Sequence, residues 1–305
     1  MTFRTAAAVT AAMAAIQVIF GSLAPTFAQA MAPRLDAIWE QSRRAYDVGD
    51  YKSAEATAKR SIEIATARFG ANHVSVSRGL HALAAVYLQT RRLNEGEQLA
   101  RRALAIRERA KGTQSAPVAV SLTQLGYALA LADRFQEAET LLNRAIAIWE
   151  KTRPLAAPQK GNTIRVAAIN YAFQGRFVEA GALYRKAISE LERATGKDGI
   201  WTLRTVRNHA TTLARLGRVR ESEAAYKRAI AGLETRNPNE HSELLFALSH
   251  FAALLSEQDR IEEAEAIYRR AMATLEKGST GNLVHAETLL GLGAFDSSRG
   301  GSVLP

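Results

Sequence analysis

LHALAAVYLQTRRLNEGEQLARRALAIRE (residues 80–108) and LTQLGYALALADRFQEAETLLNRAIAIWE (residues 122–150) are two copies of a pattern that recurs every 42 residues through six units. Small residues keep the register of this pattern without slippage. One column contains Ala54, Gly96, Ala138, Ala180, Ser222 and Ala264, and a second contains Ser61, Ala103, Ala145, Ala187, Ala229 and Ala271. A fixed period in this range predicts a solenoid, in which each unit buries its apolar face against its neighbours.

Each unit is predicted to form two helices joined by a short turn. In the second unit, the apolar spacing i, i+3, i+4, i+7 of one helix face is supplied by Leu80, Leu83, Ala84 and Tyr87. The turns recur at Gly49-Asp50, Arg91-Arg92, Asp133-Arg134, Gly175-Arg176, Gly217-Arg218 and Asp259-Arg260. Glycine at such a turn ends a helix in the left-handed conformation, and aspartate approximates it. The first small column follows each turn and marks the point where the two helices cross.

These columns resemble the tetratricopeptide repeat. Its positions 4, 7, 8, 11, 20, 24 and 27 correspond to Leu80, Leu83, Ala84, Tyr87, Gly96, Ala100 and Ala103, although Ala100 is not aromatic. Glutamate replaces the usual proline at position 32, at Glu108, Glu150, Glu192, Glu234 and Glu276. With eight extra residues per unit, the chain resembles the 42-residue variant of kinesin light chains and many bacterial proteins. The resemblance implies an all-α, right-handed superhelical solenoid of antiparallel helix pairs.

The resemblance also sets the predicted organisation of the chain, with a repeat domain over residues 31–300. Its six units are expected at about 36–66, 78–109, 120–151, 162–193, 204–235 and 246–277. A terminal helix is expected at 286–299, and residues 301–305 are expected to form a disordered tail.

The first 30 residues have the pattern of a secretory signal peptide. Arg4 is their only charge, an apolar run covers Ala6 to Ala24, and the small-x-small triplet Ala28-Gln29-Ala30 ends the segment. Cleavage after Ala30 is therefore predicted, with export to the periplasm of a Gram-negative cell. The alternative is an uncleaved membrane anchor, although Gly21 and Pro25 interrupt its helix.

Composition limits the classes of function that are open to the chain. The formal net charge is +10 with a pI near 10.0, which favours an anionic partner or surface. The chain has no cysteine, which excludes disulfides, thiolate metal sites and a thiol nucleophile. Six scattered histidines have no helical metal-ligand spacing, and Gly196-Lys197 lacks the remainder of a phosphate loop. We therefore predict a protein that is not an enzyme and has no cofactor and no metal.

Basic residues recur in every second helix, but most are predicted to be neutralised. Glu55, Glu97, Glu223 and Glu265 each stand four residues before a lysine or arginine, the favourable order for a helical ion pair. This pattern is typical of a solvated face and argues against nucleic acid as a partner.

The resemblance implies that the first helices line a concave surface. The candidate ligand-binding residues on it are Arg78, His81, Tyr127, Asn162, Arg165, Phe173, Arg204, Arg207, Arg215 and Phe246. No acid occupies repeat positions 2 or 5 between Arg78 and Ser249. Arginines beside apolar side chains suit a peptide that carries carboxylates. The alternative is a polar groove that only keeps the solenoid soluble.

The sequence thus predicts a non-catalytic scaffold or adaptor that binds an acidic peptide or partner subunit, without stable membrane insertion after signal cleavage. Two alternatives stay open. One is an accessory factor of envelope or polysaccharide export that binds anionic surfaces. The other is a regulatory partner of a separately encoded peptidase, because similar repeats often precede a caspase-like peptidase domain in bacterial proteins. The oligomeric state is not predicted.

Overall fold

The computed structural model describes residues 35–152, 158–235 and 241–277. The predicted signal peptide, the helix predicted at 286–299 and the tail at 301–305 lie outside these ranges. Twelve helices follow one another in the described part. They are α1 (residues 35–47), α2 (Tyr51–Phe69), α3 (Val74–Gln89), α4 (Leu93–Lys111), α5 (Ala116–Leu131), α6 (Phe135–Thr152), α7 (Pro158–Phe173), α8 (Phe177–Thr195), α9 (Ile200–Arg215), α10 (Val219–Glu234), α11 (His241–Glu257) and α12 (Ile261–Lys277).

The helices form six antiparallel pairs that stack into an all-α solenoid, which confirms the predicted fold class. The odd-numbered first helices build an inner layer, because α3, α5, α7, α9 and α11 contact one another from unit to unit. The even-numbered second helices form an outer layer. The backbones of the described second helices approach only the helices next to them in the chain, and second helices of successive units are linked through partly exposed ion pairs such as Arg144–Glu108. None of the helices in the described ranges has the length and hydropathy needed to cross a membrane.

The two small columns lie where the helices are closest. Apart from Gly96, every residue of the two columns is an alanine or a serine, and all eleven of these residues are 0% exposed. The contact between α5 and α6 is one example of this close approach. An added Cβ at Gly126 would lie 2.7 Å from Cγ of Leu142, which is itself buried. Side-chain volume therefore determines how closely the paired helices approach.

The turn between paired helices has the left-handed backbone that the sequence pattern predicts. Gly49, Gly175 and Gly217 have φ values of 81°, 74° and 71°. The corresponding non-glycine residues Arg91, Asp133 and Asp259 have φ values of 63°, 58° and 58°. The turn geometry is thus the same in all six units, including those without a glycine.

The first helices begin about one turn before the residue where the shorter repeat pattern starts. α3 begins at Val74, α5 at Ala116, α7 at Pro158 and α9 at Ile200. The units of this chain therefore expose an additional row of side chains at one end of the inner layer.

The predicted ion pairs on the second helices are present. The N–O distances are 2.6 Å for Lys59–Glu55, 2.7 Å for Arg101–Glu97, 2.5 Å for Lys227–Glu223 and 2.6 Å for Arg269–Glu265. The cations of these pairs are about half exposed or more. Exposed pairs contribute little to stability, about 0.2–1 kcal/mol each. Most of the basic pattern is therefore a neutralised, solvated surface.

Candidate functional site

The inner layer encloses a groove with a volume of about 940 Å³. Nine of the ten candidate residues line it, and they are His81, Tyr127, Asn162, Arg165, Phe173, Arg204, Arg207, Arg215 and Phe246. They come from α3, α5, α7, α9 and α11, so five successive units contribute to one surface. A concave site of this size that mixes aromatic and polar side chains has the general character of a ligand pocket.

Arg78 lies elsewhere. It borders a separate depression beside α1, together with Leu35, Trp39 and Phe69. Its NH1 is 3.0 Å from Oδ1 of Asp36, and its guanidinium group is 3.9 Å from the centre of the Trp39 ring. The charge of Arg78 is therefore paired locally, outside the groove.

Glu243 forms the centre of an ion cluster in the groove. Its Oε1 is 2.9 Å from Nε of Arg204, and its Oε2 accepts a hydrogen bond of 3.1 Å from NH2 of Arg207. All three side chains are only 14–16% exposed. Burial alone would raise the pKa of Glu243, but the guanidinium groups of Arg204, Arg207 and Arg165 outweigh it and lower that pKa. Glu243 is therefore ionised at neutral pH.

Arg165 lies in the same wall of the groove, and its hydrogen-bond partner there is an amide and not a carboxylate. Its Nε and NH2 donate hydrogen bonds of 3.1 and 2.7 Å to Oδ1 of Asn162. Among the described residues, no carboxylate forms an ion pair with it. Burial lowers the pKa of Arg165, yet arginine stays charged at any physiological pH. Arg165 is thus a positioned cation whose charge is only partly balanced.

Aromatic rings lie beside these arginines. The Trp201 ring is 5.7 Å from the guanidinium carbon of Arg165 and 5.4 Å from that of Arg204. The Phe246 ring is 5.1 Å from that of Arg207. Such cation–π contacts fix the guanidinium planes and provide apolar surface next to them. The groove therefore offers charge and apolar contact at the same place.

Several polar atoms on the groove wall have no hydrogen-bond partner in the described part of the chain. They are His81 Nδ1, Gln124 Oε1, Arg207 Nε and His250 Nδ1. Burial lowers the pKa of His81 to about 3 and that of His250 to about 4, with a further contribution from nearby arginines. Both imidazoles are therefore neutral at pH 7. The positive charge of the groove comes from arginine.

Trp201 and Glu243 also line the groove, although the sequence pattern does not predict them as site residues. Both lie in the additional first turn, ahead of the residue at which the repeat pattern begins its numbering. One sequence signal was available, because no glycine or proline separates Ile200 from Arg204. The expectation that positions 2 and 5 carry no acid is correct, but an acid enters the groove from this earlier turn. In the described ranges, no group of three or more histidine, aspartate or glutamate side chains is placed to hold a metal ion.

Two family models described as tetratricopeptide repeat match the chain. One covers residues 75–151 and 162–235, and the other covers residues 247–277. No curated protein matches the sequence.

Solved structures with a similar fold have low sequence identity to this chain. BtubC (BKLC) from P. vanneervenii has a TM-score of 0.60 and 17% identity over 76% of this chain and 94% of that chain. Kinesin-light-chain TPR-like repeats from Podosopora anserina have a TM-score of 0.50 and 21% identity over 66% of this chain and 95% of that chain. NprR in complex with its cognate peptide NprX has a TM-score of 0.64 and 11% identity over 98% of this chain and 86% of that chain.

Proposed function

This chain belongs to the tetratricopeptide repeat family, and on that premise we propose that it is a non-catalytic scaffold that binds an acidic peptide segment in its concave groove. The main observation behind the proposal is that the positive charge of Arg165 in the groove is only partly balanced. Arg165 is positioned by Asn162 and lacks a described carboxylate partner, whereas Arg204 and Arg207 share the single carboxylate of Glu243. Three guanidinium groups thus surround Glu243, and the second acid on the groove wall, Asp47, forms an ion pair with Arg43.

The chemistry of recognition follows from this arrangement. A carboxylate of the peptide accepts charge-assisted hydrogen bonds from Arg165, and a neighbouring apolar side chain packs on Trp201 or Phe246. Arginine and aromatic residues are the usual hot-spot types at interfaces. Because the groove is built on rigid helices, the entropic cost of ordering falls mainly on the peptide.

The similarity to NprR supports a peptide as the occupant. That protein was solved in complex with its cognate peptide NprX. The identity is only 11%, so the similarity supports the use of the fold and not the identity of the ligand.

The test is a selection of peptides from a display library on the whole chain, followed by calorimetry with each selected peptide. We expect enrichment of Asp and Glu beside one apolar residue. Arg165→Gln is expected to weaken binding about 10-fold, in line with a charge-assisted hydrogen bond. Arg220→Gln removes the same charge from an exposed position outside the groove and should leave affinity unchanged.

Other outcomes would contradict the proposal. Equal losses in both variants, together with binding of every polyanion that disappears at moderate salt, would indicate that net charge and not the groove binds the ligand. That result would favour the anionic-surface alternative. Selection of peptides without acidic residues would make the assignment of the groove to acidic ligands wrong.

We further propose that the protein acts in the periplasm after cleavage behind Ala30. The pattern of residues 1–30 supports this location. Expression in a Gram-negative host followed by fractionation and N-terminal sequencing tests it. A periplasmic product beginning at Met31 is expected, whereas a membrane-bound product beginning at Met1 would favour the anchor.

A further inference from the structure

The outer layer carries a repeated carboxylate position that can be compared from unit to unit. At this position a glutamate of the second helix lies between a cation one turn later and the arginine of the next unit's turn. Glu55 is 2.6 Å from Lys59 and 3.2 Å from Arg92, Glu97 is 2.7 Å from Arg101 and 2.8 Å from Arg134, and Glu223 is 2.5 Å from Lys227 and 2.7 Å from Arg260. In the last case, the hydrogen bonds from Arg260 and Lys227 lower the pKa of Glu223 to about 2.

The turn arginines divide their donors in the same way in each of these units. Nε and NH2 donate to a glutamate three residues later, and NH1 donates back to the glutamate of the preceding unit. The pairs of acceptors are Glu95 and Glu55 for Arg92, Glu137 and Glu97 for Arg134, and Glu263 and Glu223 for Arg260. NH1 is therefore the donor that joins one unit to the next.

The fourth unit keeps both cations but lacks the glutamate. Gly181 stands at the carboxylate position, with Arg185 one turn later and Arg218 in the following turn. Arg218 donates Nε and NH2 to Glu221 at 2.7 Å each, and its NH1 has no acceptor in the described part of the chain. Arg185 makes neither an ion pair nor a hydrogen bond with any described residue. The guanidinium group of Arg185 and NH1 of Arg218 thus have no acceptor among the described residues, although the corresponding cations of three other units bind a glutamate.

The space beside the buried Gly181 accommodates an added carbon atom without a clash. A Cβ built there would lie 3.9 Å from NH1 of Arg185, Cδ1 of Leu216 and Cγ2 of Thr212, which is ordinary van der Waals contact. His209 borders the same region, and its Nε2 is buried without a hydrogen-bond partner in the described ranges. Burial, followed by the charges of Arg185 and Arg218, lowers the pKa of His209 to about 4. The pKa of His209 therefore responds to the charges of both Arg185 and Arg218.

We propose that the gap at Gly181 is a docking site for one carboxylate of a partner protein, an Asp or Glu side chain held between Arg185 and Arg218. The occupant is a carboxylate because the first, second and fifth units place their own carboxylate between the same two types of cation. The site lies on the outer layer, so it does not depend on the concave groove or on the function proposed for it. An exposed pair of arginines binds a single carboxylate weakly, so the site adds specificity to a larger interface.

The first test asks whether a carboxylate fits the gap. Gly181→Glu and Gly181→Gln both remove a helical glycine and add side chains of equal size, and they differ only in charge. We expect Gly181→Glu to have the higher Tm and a raised His209 pKa in NMR titrations, with the Tm difference lost at about 1 M NaCl, where charges are screened within about 3 Å. Equal Tm values for the two variants at low salt would overturn the proposal.

The second test asks whether the gap binds an external carboxylate. The probe is the peptide acetyl-Ala-Glu-Ala-amide, with acetyl-Ala-Gln-Ala-amide as its control, titrated at low salt while the Nε–H signals of the arginines are recorded. The wild type should show saturable shifts at Arg185 and Arg218, at least five-fold weaker in Gly181→Glu and in Arg185→Gln, and unchanged in Arg220→Gln. Identical responses in wild type and Gly181→Glu would overturn the site. Saturation by inorganic phosphate at lower concentration than by the peptide would overturn the carboxylate assignment.

Discussion

At the scale of single residues, position determines what each charged or strained side chain does. Arg165, Arg204 and Arg207 are all arginines of the groove wall, but only Arg204 and Arg207 form ion pairs with the carboxylate of Glu243. Arg91 occupies the same left-handed turn position as Gly175, although it has a Cβ. Both comparisons lead to substitutions whose effects have a definite sign.

Arg91→Gly should stabilise the protein by about 0.5–1 kcal/mol. The left-handed conformation costs a non-glycine residue about 1–2 kcal/mol, and the gain is reduced by the larger freedom of glycine in the unfolded chain. Urea unfolding of the variant measures the change. Gly175→Ala is the reciprocal control and should destabilise, and a loss of stability in Arg91→Gly would show that the turn is not strained.

Glu243→Gln should strengthen the binding of acidic peptides several-fold while it lowers the free energy of unfolding by about 1–3 kcal/mol. The substitution releases Arg204 and Arg207 for the ligand but leaves two buried cations without their acid. Calorimetry and urea unfolding separate the two effects. Glu221→Gln is the control on the outer surface, and weaker peptide binding in Glu243→Gln would mean that Glu243 itself contacts the ligand.

At the scale of helices, the sequence predicts the pairs and their crossings well, because the small columns and the turn residues act locally. It predicts the groove less completely. The shorter repeat pattern places the start of each first helix about one turn too late. It therefore does not predict that the side chains of this additional turn, such as Trp201 and Glu243, point into the groove. The glycine at position 181 is visible in the sequence, but which donors of the Arg218 guanidinium group find acceptors in the described part of the chain follows only from the folded structure.

Gly126→Ala should destabilise the protein by about 1–3 kcal/mol, because the new Cβ would lie 2.7 Å from Cγ of Leu142. A double-mutant cycle with Leu142→Ala measures the effect through urea unfolding. Removal of Cγ and its two methyl groups should restore part of the loss, whereas simple additivity of the two changes would show that α5 and α6 can move apart freely.

At the scale of the whole molecule, buried histidines link stability to pH. The pKa values of His81, His209 and His250 are about 3, 4 and 4 in the folded chain, mainly because of burial, against an ordinary value of 6.5. Below pH 6.5 the unfolded chain binds more protons at these sites than the folded chain does. The folded state therefore loses stability as the pH falls from about 6.5 toward 4.

Each of these histidines should contribute a slope of about 1.4 kcal/mol per pH unit near pH 5. Urea unfolding at pH 7, 6 and 5 gives the total slope. His209→Leu, which places the residue of Leu83 and Leu125 at the same repeat position, should reduce that slope by about a third. An unchanged slope in this variant would show that His209 is protonated in the folded state.

The two layers of the solenoid are joined differently, and this difference has a mechanical consequence. Neighbouring first helices pack closely along the inner layer, whereas second helices of successive units contact one another through partly exposed ion pairs, such as Arg144–Glu108 at 2.7 Å and Arg228–Glu192 at 2.5 Å. Exposed ion pairs are weak, so the outer side resists separation of the units less than the inner side does. Bending can therefore part the outer ion pairs and leave each hairpin intact, so a partner that binds the outer surface can change the curvature of the groove without unfolding any unit.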